Sequence, residues 1–276
     1  MYKKEGGFWE WVGWFSNWCN GCIHNCKYCY SMIRLICRLK KLSHYTDYAR
    51  FELKKPTITL RNGHSITKIK KLEGWGMLPG THDIFPEILD ETISYFRTHL
   101  EIGNKLLIVS KPHLECIQAL IKEFKEYKDQ IHFRFTITTH NDSLINIWEE
   151  NAPLYHERLD CLMYAFHKGF HTSVSIGPFL DKDPLPLITT LEKFTTEIWL
   201  EPINHLHHIK KIVSIPYFEY ACEITSQENL IQIVKDLKST LTPEIRSKIH
   251  LKKPFDPILE LLKNQTLTKW IELKNE

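Results

Sequence analysis

The stretch Gly21-Cys22-Ile23-His24-Asn25-Cys26-Lys27-Tyr28-Cys29-Tyr30 holds three cysteines, separated by three residues and then by two. Three thiolates on so tight a loop can bind three irons of a [4Fe–4S] cubane and leave the fourth iron open to a small ligand. A closed structural centre needs a fourth protein ligand, because structural zinc is tetrahedral and four-coordinate. Cys19 and His24 are near enough in sequence to complete such a centre, so an inert Fe–S or zinc site stands as the alternative. Against it, the spacing is unlike that of paired zinc knuckles, and no second Cys-x-x-Cys follows downstream.

The remaining cysteines, Cys37, Cys116, Cys161 and Cys222, are scattered singly along the 276 residues. Clustering of the other four points to metal in a reducing compartment rather than to cross-links. The opening MYKKEGGFWEWVGWFS is broken by Glu5, Gly6, Gly7 and Glu10. Later apolar runs fall short of the ~20 residues that a membrane helix needs, so a cytoplasmic protein without membrane contact is expected. A net charge of +3 is too small to imply nucleic acid by itself. The lysine pairs 40–41, 54–55, 70–71, 210–211 and 252–253 are dispersed and read as solvated faces.

The elements that must position these cysteines alternate in type. A first strand is expected near Trp11–Phe15, then a helix through Met32, Ile36 and Leu39 that ends at Lys40–Lys41. Residues 43–73 are polar, with a short strand at Thr57–Leu60, and read as an excursion. Strands follow at Trp75–Leu78, Leu106–Val109, Phe133–Thr139, Val174–Ile176 and Glu197–Leu200. Between them, helical spacing runs from Leu89 to Leu100, from Leu114 to Phe124 and from Leu159 to Phe166. The last fifty residues read as helices starting at Ser226, at Thr242 before Pro243 and at Asp256 before Pro257. Strands alternating with helices imply βαβ units and a parallel sheet. About six units fit a partial (β/α)6 TIM-like barrel in one domain, with a core over about 9–205 and a helical segment over about 206–276.

The pattern Cys-x-x-x-Cys-x-aromatic-Cys, with Tyr28 before the third cysteine, resembles the signature loop of the radical S-adenosylmethionine (SAM) superfamily. The fuller string Gly21 to Tyr30 is similar to the spore photoproduct lyase-like branch, a DNA repair photolyase-like group. The likeness extends through Gly80-Thr81-His82-Asp83, Ile108 to Lys111, Phe135 to Thr139, and Glu157-Arg158-Leu159. It covers residues 16 to about 180. Ile84 and Phe85 stand where the branch often has Pro-Tyr. The resemblance implies a [4Fe–4S] cluster on Cys22, Cys26 and Cys29, with SAM on its open iron. It also implies reductive cleavage of SAM to a 5′-deoxyadenosyl radical, hydrogen abstraction from an unidentified substrate, and a flavodoxin or ferredoxin as electron donor. The branch permits a nucleic acid substrate, which the modest charge and dispersed lysines do not support; peptides and small metabolites stand as the other classes.

Roles carry over position by position. Tyr28 packs beside the adenine, and Gly80, Thr81 and Asp83 hold the methionyl amino group, unless Asp83 only forms the turn. Lys111 and Arg158 either neutralise the methionyl carboxylate or are solvated helix-terminal charges. Thr138 faces the ribose or simply favours its strand. A hydrogen-donating cysteine cannot be aligned: Cys19 is the nearest loose thiol, and Cys222, Cys116 and Cys161 are weaker candidates, since single buried cysteines are usually small apolar groups. Trp9, Trp11, Trp14 and Trp18 are expected to pack, and the run His205-Leu206-His207-His208 to lie on the surface.

Overall fold

Strand and helix do alternate, and in the computed structural model, which describes residues 7–33 and 50–263, the strands join into one open nine-stranded sheet. In chain order the elements are β1 (Trp14–Asn20), α1 (Tyr30–Ile33), β2 (Glu52–Leu60), β3 (Ser65–Ile66), β4 (Trp75–Leu78), α2 (Leu89–Glu101), β5 (Lys105–Ser110) and α3 (Leu114–Glu123). There follow β6 (Ile131–Thr136), α4 (Asp142–Trp148), α5 (Tyr155–His167), β7 (His171–Ile176), α6 (Leu185–Leu191) and β8 (Ile198–Leu200). The chain then runs through α7 (Leu206–Ile209), α8 (Ile215–Ile224), α9 (Gln227–Thr240), α10 (Pro243–Ser247) and β9 (Ile249–Leu251), with a last helical run at 256–263. The sheet order is β3-β2-β1-β4-β5-β6-β7-β8-β9. Every pairing from β1 through β4 to β9 is parallel, and the two pairings made by β2, with β1 and with β3, are antiparallel. The fold is α/β, and its sheet does not close on itself.

Alternation along each strand sorts the side chains. Leu106 and Ile108 of β5, Phe133 and Phe135 of β6, and Val174 and Ile176 of β7 pack against the helices in one core that reaches from Trp14 to Ile258. The opposite face carries a smaller apolar patch of Trp9, Val12, Phe15, Met77 and Leu107. It also carries polar groups, among them Arg134, which is 3% exposed. Arg134 pairs with Glu197 at 2.5 Å and lies over the rings of Trp11 and Trp199.

Several expectations need correction. The first strand starts three residues later than Trp11 and runs on to Asn20, because Gly7–Glu10 form a 3-10 turn and Trp11–Gly13 is irregular. Its middle is polar but satisfied: Ser16 Oγ bonds the Tyr95 hydroxyl at 2.5 Å, and Asn17 Oδ1 accepts from Gly80 N at 2.8 Å. Residues 52–60 are a full strand paired along β1 rather than an excursion. The region expected to be wholly helical contains β9, which extends the sheet beyond β8. The helix expected to start at Asp256 does run over 256–263, entered directly from a 3-10 turn at Lys253–Phe255. Ser226 and Thr242 do cap α9 and α10, accepting from Asn229 N and Ile245 N. Ile36, Cys37, Leu39, Lys40 and Lys41 lie outside the described residues. Among the described residues no helix is long and apolar enough to cross a membrane.

Candidate metal and cofactor site

The cysteine loop leaves β1 at Asn20 and turns at once. Gly21 has φ 79° and Asn25 φ 48°, left-handed conformations that Gly and Asn tolerate best. The loop is stitched to the segment after α4: Lys27 N donates to Trp148 O at 2.9 Å, and Asn151 N donates to His24 O at 3.3 Å. Asn25 Nδ2 adds a bond to Glu150 Oε2 at 2.8 Å. These ties bring Cys22, Cys26 and Cys29 to one cavity of about 400 Å³. That volume falls within the ~300–1,000 Å³ usual for small-molecule sites. All the described cysteines are free thiols.

Asp83 is the centre of the loop's electrostatics. Its Oδ2 lies 2.8 Å from His24 Nδ1 and 3.3 Å from Lys111 Nζ, and Lys111 N donates to Oδ1 at 2.9 Å. Burial works against its ionisation, but Lys111 and His24 outweigh that and hold the carboxyl well below the usual carboxylate range. Cys22 Sγ is 4.0 Å from the same oxygen. His24 Nε2 lies 2.9 Å from His113 Nε2, and burial lowers His113 to about 4, so a neutral His113 can donate while His24 donates to Asp83. Burial pushes the Cys22, Cys26 and Cys29 thiols above their ordinary values. Burial therefore favours the neutral thiols, and any thiolate here would need a compensating cation.

A second network lies behind the loop. Glu149, fully buried, accepts from the Tyr28 hydroxyl, from Arg158 and from Thr138 Oγ1, the last at 2.9 Å. Burial opposes its charge, and Arg158 with Lys111 more than compensates. Arg158 Nε also donates to Pro153 O at 2.7 Å.

Of the residues singled out in the sequence, Tyr28, Gly80, Thr81, Asp83 and Lys111 line the cavity together with the three cysteines. Arg158 and Thr138 are fully buried beside Glu149 and are not brought to the cavity wall. Lys111 is not a solvated charge, since its Nζ is held between Asp83 and the face of Tyr28. Cys19 packs with Phe85 and Ile88 away from the cavity, and burial raises its thiol to about 11. Cys222 is half-buried on α8, also away from the cavity. Cys116 and Cys161 belong to the apolar core, as expected. Trp9, Trp14 and Trp18 are packed, whereas Trp11 and His205 border the cavity. Lys252 does so too and is 2% exposed, so it is no solvated face.

Sequence reasoning missed Glu149, His113 and Glu201. Glu201 alone had a signal: it ends a predicted strand, where open α/β sheets bind ligands.

Gly80 forms the turn opposite the loop and accepts from the Tyr30 hydroxyl through its carbonyl. A Cβ there would stand 2.3 Å from the Phe15 ring, so no side chain fits without displacing it. Gly80→Ala is expected to lower stability by about 1–3 kcal/mol, read from the urea midpoint at unchanged m.

No family model matches the chain. Over 184 residues it is 26% identical to the uncharacterized protein ORF301 of Acidianus two-tailed virus, an alignment covering 64% of this chain and 60% of that protein. The chain thus spans less than two thirds of that relative's length, and the relative's name assigns no activity.

Proposed function

We propose that the chain is a radical SAM enzyme whose [4Fe–4S] cluster is held by Cys22, Cys26 and Cys29. The observation that carries this reading is the opening of all three thiols into one cavity beside Asp83, Lys111 and Tyr28. That cavity lies at the carboxyl ends of parallel strands, where α/β enzymes assemble their sites. We read the open, mostly parallel sheet as a partial (β/α)6 TIM-like barrel of the radical SAM type. When bound and reduced, the cluster supplies the electron that splits SAM to a 5′-deoxyadenosyl radical. The chain's own residues bind and orient. Lys111 offers an ammonium to a ligand carboxylate, and the Gly80–Asp83 turn offers acceptors to an amino group. Tyr28, held by Glu149, presents a fixed ring edge. Arg158 contributes indirectly, by holding Glu149. The spore photoproduct lyase-like likeness, a flavodoxin or ferredoxin donor and a cytoplasmic, thiol-preserving setting belong to the same reading.

The competing reading, a non-enzymatic zinc or structural Fe–S protein, is favoured by one observation: ligand atoms of Cys22, His24 and Asp83 all lie within 4.8 Å of one another. A single ion there must displace the His24–Asp83 hydrogen bond and leaves Cys26 and Cys29 unused. The two readings separate in one assay. Anaerobically reconstituted protein with SAM and dithionite is expected to form 5′-deoxyadenosine, and Cys26→Ala is expected to form none. One zinc per chain, no acid-labile sulfide and no SAM binding would establish the alternative instead.

A further inference from the structure

The cavity has two unlike walls. Over β1, β4 and β5 stand the cysteine loop, Asp83 and Lys111, bonded largely to one another. Over the ends of β6 to β9 stand Thr136, Ser175, Glu201 and Lys252, with Trp11 beside them. This second wall is polar and charged, yet no part of the metal reading uses it.

Charges of both signs stand on this one cavity wall. Asn204 Nδ2 donates to Glu201 Oε1 at 2.7 Å. A Cβ on Gly177 would stand 2.9 Å from Ser175 Oγ and 3.7 Å from Glu201 Oε2, so the glycine leaves open the ground between hydroxyl and carboxylate. Lys252 Nζ lies 3.4 Å from Glu10 Oε2 and 4.4 Å from the Trp11 ring centre. Burial pushes the Glu201 carboxyl up and the Lys252 ammonium down. A lone anion entering here meets Glu10 and Glu201, and a lone cation meets Lys252 with Arg134 beneath Trp11. A ligand carrying both charges on neighbouring atoms meets a partner for each.

We propose that this wall is the substrate site and binds the zwitterionic head of a free α-amino acid, its ammonium toward Glu201 and Ser175 and its carboxylate toward Lys252. The assignment of this ligand as substrate rests on the radical SAM reading; the binding site itself does not.

The test is calorimetric titration of the anaerobically reconstituted protein with each of the twenty standard L-amino acids. Methyl esters and N-acetyl derivatives of any that bind are titrated beside them, together with thymidine and uridine. At least one amino acid is expected to bind, and capping either charge is expected to weaken it at least tenfold. Glu201→Gln and Lys252→Met are each expected to weaken it at least tenfold as well. Lys252→Arg, with circular dichroism as the folding check, replaces Lys252→Met if that variant does not fold, and is expected to retain binding. No binding by any amino acid, binding that survives both substitutions, or binding of the nucleosides instead overturns the proposal. SAM binding is measured on the same wild-type sample: SAM bound without any amino acid sinks this proposal alone, and an amino acid bound without SAM sinks the radical reading alone.

Discussion

Arg158→Met is expected to lose about 3–5 kcal/mol of unfolding free energy, read from urea titration by tryptophan fluorescence. The side chains of Arg158 and Glu149 are both fully buried, so removing one strands the other's charge without water. Tyr28 and Thr138 stay on Glu149 but bring no positive charge. The double variant Glu149→Gln/Arg158→Met is expected to lose less than the sum of its single variants, because neither partner is then left charged and alone. A single-variant loss below about 1 kcal/mol means that water reaches Glu149 and that the pair behaves as a surface one. This expectation replaces the simpler one drawn from the sequence, in which Arg158 met SAM directly. Weakened SAM binding in the variant would now follow from a loosened Tyr28.

Asp83→Asn carries the second large effect, about 3 kcal/mol in the metal-free protein, because it leaves the Lys111 ammonium buried without its counter-charge. The effect has a pH signature. Asp83 binds its proton more weakly in the folded chain than in the unfolded one, where an Asp titrates near pH ~4. Its stabilisation is therefore complete above about pH 4 and is lost as pH falls through the lower folded value. Between pH 6 and pH 3 the wild type is expected to lose more stability than Asp83→Asn, measured by urea midpoints at each pH. Equal losses would show that Asp83 is not the carboxylate Lys111 depends on.

The cysteine loop was legible because its chemistry is local: three thiols at fixed spacing can be read without knowing the fold. Asp83 and Lys111 were singled out through the resemblance, and both follow predicted strands, where α/β folds place their sites. Arg158 and Thr138 were misplaced because Glu149, which takes them, has no local signal and is identified only by what surrounds it. Lys252 looked like half of a solvated pair because burial is a property of the packed sheet, and the three residues of β9 are too few to show a period. β1 was cut short at Phe15 because its buried Ser16 and Asn17 resemble a loop until Tyr95 and Gly80 arrive to bond them.

The bonds from the cysteine loop to Trp148, Glu150 and Asn151 carry a consequence for the order of assembly. More than a hundred residues separate the loop from the segment that shapes it, and closing so long a stretch of chain is costly until the intervening strands have docked. The loop is thus a late piece of the fold. A zinc finger waits for its ion before it can fold, whereas this thiol loop is tied by hydrogen bonds to Trp148, Glu150 and Asn151. Under the radical SAM reading, metal starvation is expected to leave a folded protein that takes up iron on re-supply, with circular dichroism as the check.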